Sequence, residues 1–273
     1  MMRMIFALLV FICIKPNIKA QTTYENIQSK KLNSTRQIKV KLPENYNTTS
    51  NNEHPLIIVF DGDYMFEAVS GQIDYLNYLN ATPKPIIVGV MQKGSRLDDS
   101  KVDRITGLPV GSGQQFIKFI KEELIPHLSS KYKVSDYKMA IGHSEMANTM
   151  NSFILEKQSV FQAYVNIDPD FKGEVLNSLK RRLPTLNQET YYYIATGETE
   201  KRSQRDRALE ANNIFSSLNS ETINYTFDDF NEDPINLLAL NAIAKAFNNV
   251  FGPFKPIKNV KQQSQASFDL EGF

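Results

Sequence analysis

Tyr137-Lys138-Met139-Ala140-Ile141-Gly142-His143-Ser144-Glu145-Met146-Ala147 is the stretch on which the fold turns. A short apolar run, 137–141, enters a tight Gly-His-Ser turn and leaves it into a helix-like segment, 145–156. That is the layout of a strand bending sharply into a helix with a serine at the bend. An ordinary strand-to-helix turn with Ser144 as its N-cap writes the same letters, so the surroundings must decide. Upstream, 55–60 (PLIIVF) and 85–90 (PIIVGV) are continuous β-branched runs bounded by turn residues, as expected of strands buried on both faces. Residues 37–42 (QIKVKL) alternate polar and apolar, like a half-exposed antiparallel strand. Downstream, 163–167, 190–195 and 222–227 read as further strands. Helices are predicted over 66–79, over a stretch from 116 to 128 with Ser112 as cap, and over 174–181, 206–218 and 236–247. Strands alternating with helices predict an α/β fold: a mostly parallel central sheet with helices on both faces.

Composition removes several classes. The 273 residues carry 31 basic and 30 acidic side chains, a net charge of +1, so no basic face exists for a nucleic acid partner. With 41% hydrophobic residues and only 12 Gly and 12 Pro, the chain has the apolar content of a folded domain. Arg3, an apolar run over 5–14 and the small residue Ala20 read as a signal peptide, 1–20, cleaved near Ala20 to release a periplasmic or secreted protein with no membrane anchor. Cys13, the single cysteine, lies in that run after Ile12, which does not suit a lipoprotein signal. The mature chain then has no thiol for disulfides, catalysis or metal ligation. A domain is expected over 21–254, followed by a loose polar tail, 255–273. No metal-ligand spacing of the H-E-x-x-H kind occurs, and no cofactor is expected.

Several blocks, in order, resemble the esterase family of α/β-hydrolases that includes esterase D and the enterochelin-esterase-like exported bacterial proteins. They are 55–66 (PLIIVFDGDYMF), 87–90 (IVGV), 116–128 (FIKFIKEELIPHL), 141–144 (IGHS), and 161–164 (FQAY) with Asp168-Pro169. The resemblance implies an α/β-hydrolase fold, with Ser144 as nucleophile toward an ester carbonyl. It implies the backbone N–H of Glu145 as one oxyanion donor, and N–H groups around Asp63 and Tyr64 as the other. It nominates Glu198 as the acid, with Glu200 or Asp206 as substitutes. The implied ligand is a small-molecule ester, an acylated sugar or a siderophore-like molecule.

The chain departs from that pattern in three places. Met146 and Ala147 replace two glycines after the serine. Asp103-Arg104-Ile105-Thr106 inverts a substrate-side pair. Asp233-Pro234-Ile235-Asn236 has proline where the family places its catalytic histidine. Of the three histidines, His54 precedes a buried strand, His127 sits late in an amphipathic helix, and His143 adjoins Ser144 on a turn where successive side chains diverge. Asp233 is the remaining candidate base. Two readings follow: a serine ester hydrolase, weakened by the lost histidine, or a non-catalytic binding protein that keeps the fold and pocket.

Overall fold

The computed structural model describes residues 22–252 apart from 50, 199, 200 and 219. The expected signal peptide and tail, and Glu200, therefore lie outside the described residues. In chain order the elements are β1 (Thr22–Ser29), β2 (Ser34–Lys41), β3 (His54–Val59), α1 (Gly62–Tyr78), β4 (Ile86–Val90) and α2 (Arg96–Asp99). Then come α3 (Ser112–Phe119), a π-helical turn (Ile120–Leu124), α4 (Ile125–Lys131), β5 (Val134–His143), α5 (Glu145–Met150) and α6 (Ser152–Leu155). The chain continues through β6 (Ala163–Ile167), α7 (Val175–Arg182), β7 (Thr190–Gly197), α8 (Arg202–Phe215), β8 (Ile223–Phe230) and α9 (Leu238–Phe251).

The eight strands form one sheet in the order β1-β2-β4-β3-β5-β6-β7-β8. From β4 to β8 every pairing is parallel, while β1 and β2 join antiparallel at one edge. The expected architecture is present, with β5 central. Strands β3, β4 and β6 are almost wholly buried because helices cover both faces. On one face α1 and α9 pack Phe66, Val69, Ile73, Ile243 and Phe247 against the sheet. On the other, Phe116, Phe119, Leu124, Phe153, Leu179 and Phe215 form the larger core. Each such fully buried side chain contributes roughly 1.5–3 kcal/mol relative to exposure.

Three local expectations are corrected. Gly111, not Ser112, precedes α3 as its N-cap, and no side chain caps that helix. The expected long helix is broken by the π turn, and the segment after Ser144 divides into α5 and α6 at Asn151. β1 is an addition: it is mostly exposed and carries little hydrophobic pattern, so only its pairing with β2 defines it.

Candidate active site

The ends of β3, β5 and β6 each lead into a non-glycine residue with positive φ: Asp61 at 53°, Ser144 at 54° and Asp168 at 43°. Such backbone costs of order 1–3 kcal/mol per residue and gathers at functional sites. All three lie at the carboxyl edge of the parallel strands, where open α/β sheets bind ligands. Ser144, with ψ of −121°, ends β5 and starts α5. Its N–H donates to Ile167 O at 3.0 Å, and its carbonyl accepts from Asn148 N and Asp170 N, both at 3.2 Å. These bonds tie the bend to β6 and to its own helix.

Close packing behind the bend depends on Gly142. A Cβ there would lie 3.0 Å from the backbone of Ala147. Gly142 is thus the position that must carry no side chain; Ala147 is itself fully buried. Met146 does not obstruct the bend: it is fully buried in the larger core, and its Sδ accepts from Gln92 Nε2 at 3.4 Å.

Around the serine hydroxyl stand an amide and a carboxylate. Gln204 Nε2, from α8, lies 3.4 Å from Ser144 Oγ. The same nitrogen donates to Asp168 Oδ2 at 2.9 Å and to Asp168 O at 2.5 Å, while Thr196 Oγ1 donates to Asp168 Oδ1 at 3.3 Å. On the other side Glu145 accepts from Arg96 Nη1 at 2.7 Å and pairs with Lys201 at 3.5 Å. Burial pushes the Glu145 carboxyl up, but Arg96, its own backbone N–H and the Ser144 hydroxyl more than offset this and bring it down to about 2. Arg96 also binds Asp61, with Nε to Oδ1 at 2.7 Å, and reaches His143 O at 3.2 Å, so one guanidinium joins the ends of β3 and β5. Burial raises the Asp61 carboxyl despite that pairing.

None of the three histidines is hydrogen-bonded to the serine hydroxyl. His143 Nδ1 meets the Tyr64 hydroxyl at 2.8 Å, and burial, aided by the charge of Arg96, lowers its imidazole to about 4. His54 is bound to Lys84 O at 2.7 Å at the start of β3, and His127 faces Glu25 at 3.3 Å. The other expected site residues scatter. Glu198 is exposed just past β7, and Asp206 is exposed on α8. Asp233 accepts from Asn241 on α9 at 2.7 Å, and Pro234 beside it is exposed. The Asp63 carboxylate holds the N–H groups of Gln92 and Lys93, at 2.6 and 2.9 Å. The Tyr64 N–H closes a turn on Asp61 O at 3.1 Å, so it is already engaged; the Glu145 N–H meets its own carboxylate. Asp168, Gln204, Asp61 and Arg96 are the residues to which sequence reasoning gave no role. Asp61 and Asp168 had a signal there, as parts of the 55–66 and Asp168-Pro169 blocks.

Among the described residues no cluster of His, Cys, Asp and Glu is arranged to hold a metal, and no helix is long and apolar enough to cross a membrane. A cavity of about 820 Å³ opens at the opposite edge of the sheet, lined by Leu42, Tyr46, Ile73, Tyr78, Ile87 and Tyr132, well away from the serine.

Comparison with known proteins places this geometry. The sequence model of the family described as "Putative esterase" matches residues 29–149. A search of curated proteins finds no match. Among solved structures, an uncharacterised protein from Capnocytophaga ochracea is 28% identical, with a TM-score of 0.81; the match covers 88% of this chain and 66% of that one. An IroE-like serine hydrolase from Shewanella oneidensis is 18% identical with a TM-score of 0.75, covering 85% of this chain and 80% of its own. The enterobactin esterase FES from Shigella flexneri, solved in the presence of 2,3-dihydroxy-N-benzoyl-serine, is 13% identical with a TM-score of 0.64, covering 87% and 61%. Residues 29–149 are similar to that esterase family, and the described residues as a whole have an α/β-hydrolase fold.

Proposed function

We propose that this chain binds a small ester, acylated-sugar or siderophore-like ligand at the carboxyl edge of its sheet, and that Ser144 acts on activated esters there only slowly. The observation that carries the reading is the surroundings of the Ser144 hydroxyl: an amide N–H on one side and an acidic carboxylate on the other. Neither group takes a proton readily near neutral pH, and a serine hydroxyl without an adjacent base is a weak nucleophile. Oxyanion donors and binding alone sustain roughly 10³–10⁴ over the uncatalysed rate in a serine protease stripped of its triad. The ligand class rests on relatives of the same fold, the enterobactin esterase and the siderophore hydrolases of Aspergillus nidulans. A non-catalytic binding protein is the second reading, favoured by the Gln204 amide nitrogen, which stands 3.4 Å from Ser144 Oγ and cannot accept a proton.

Turnover of an activated aryl ester by the purified chain and by Ser144→Ala tests the first reading. A slow rate, reduced further by the substitution, is expected. An ordinary enzymatic rate abolished by the substitution overturns it. A slow rate unchanged by the substitution favours the binding protein. Export after cleavage near Ala20 is part of the same proposal, and the N-terminal mass of the exported protein checks it: a chain starting at Met1 would contradict it.

A further inference from the structure

We infer that the cavity at the amino edge of the sheet is a second binding site, which takes a neutral aromatic molecule carrying a hydrogen-bond donor, of the aryl alcohol class. This goes beyond the reading above and does not depend on what Ser144 does. The cavity, of about 820 Å³, lies within the size range of small-molecule sites, roughly 300–1,000 Å³. It is lined by Ile73 and Tyr78 of α1, by Ile87 of β4, by Leu42 just past the end of β2, and by Tyr46 and Tyr132. The α1 helix separates it from the serine. Tyr64, in its first turn, bonds His143 beside Ser144, whereas Asn77, which lines the cavity, stands about 20 Å further along the helix at 1.5 Å per residue.

The ligand chemistry follows from what the lining satisfies and what it leaves unmet. Asn77 Oδ1 is buried and, among the described residues, is one of two such side-chain atoms with no hydrogen-bond partner. A buried acceptor without a donor is a cost that a ligand O–H or N–H removes. Both lysines of the lining are already paired, Lys41 with Asp74 and Lys131 with Glu25, the latter at 2.8 Å. An anionic ligand would therefore leave water for a site whose cations are engaged, which favours a neutral one. The ring preference comes from the tyrosines. Tyr46 accepts from Lys133 N at 2.9 Å and Tyr132 donates to Glu25, so both rings are held, 6.3 Å apart at 73°. A third ring can pack against such a pair edge-to-face or offset. Water can meet the Asn77 oxygen but not the rings, whereas an aryl alcohol meets both.

The experiment titrates the full chain with 2-naphthol near neutral pH, where the naphthol is uncharged, and with naphthalene, the same rings without a donor. The chain has no tryptophan, so the fluorescence of either probe is read against a low protein background. Naphthol should bind saturably and at least roughly 10-fold tighter than naphthalene, the margin expected of one buried hydrogen bond. Asn77→Leu should bring the two affinities together and leave naphthalene binding as in the parent. Asn77→Ala, which suits a helix, repeats the comparison should the leucine variant not fold. Equal affinities in the parent, no saturable binding of either probe, or a preference for naphthol that survives both substitutions overturns the inference. A chain that sediments as a dimer and is split by naphthol would give the cavity to a second copy of the chain, and overturns it too. None of these readings uses turnover at Ser144, so their failure leaves the reading under "Proposed function" standing.

Discussion

Ser144 stores strain at the bend. Its φ of 54° with ψ of −121° is a backbone that only glycine adopts without cost. Ser144→Gly should therefore stabilise the fold by about 1 kcal/mol, whereas Ser144→Ala should not; denaturant midpoints of the two variants check this. His143 supplies a second residue-scale prediction. Its imidazole sits at about 4 in the fold, below the ordinary 6.5. The unfolded chain thus binds the proton first as pH falls, and the fold has its full stability above pH 6.5 and loses it progressively down to about pH 4. The loss is on the order of 2 kcal/mol, allowing for the ring's partial exposure. Replacing His143 with Gln should flatten that part of the stability profile, while the Glu145 contribution, lost between about 4.5 and 2, remains. An unchanged profile would show that His143 is not the source.

The β5–α5 bend shows at the element scale what a motif hides. Its letters located the bend, and the glycine at its head is required, but they did not say which of the two following positions needs a small side chain. The structure buries both side chains fully, Met146 within the larger core, and it is the backbone of both that a Cβ on Gly142 would meet at 3.0 Å. Ala147→Leu should destabilise by about 1–3 kcal/mol through overpacking. Met146→Gly, attractive from the family pattern, should cost roughly 3 kcal/mol or more through its cavity and its added backbone freedom; thermal melts of both variants test this. The buried parallel strands were legible because β-branched runs flanked by turns have few other uses. β1 was not, since TTYENIQS buries only Ile27 and Ser29, and its strand character comes from a neighbour. Nor was the π turn, because an apolar row at 116, 117, 119, 120, 124 and 125 fits an unbroken helix as well.

At the scale of the molecule, the sheet brings Ser144, Asp168 and Asp61 to one edge from three strands, and α8 adds Gln204 from a helix that the sequence began at 206, past that residue. Which loop or helix approaches the serine is a property of packing between segments 60 residues apart, and no local pattern encodes it. Among the described residues, both cores draw on positions from Ile27 to Phe251. The central claim is that no imidazole serves Ser144, and all three histidines stand among the described residues. The pH dependence of fluorophosphonate labelling in the unaltered chain tests it most directly. The account predicts a slow rate without inflection between pH 5 and 8. A fast rate with a midpoint near 6.5, lost when any one histidine is replaced, would contradict it.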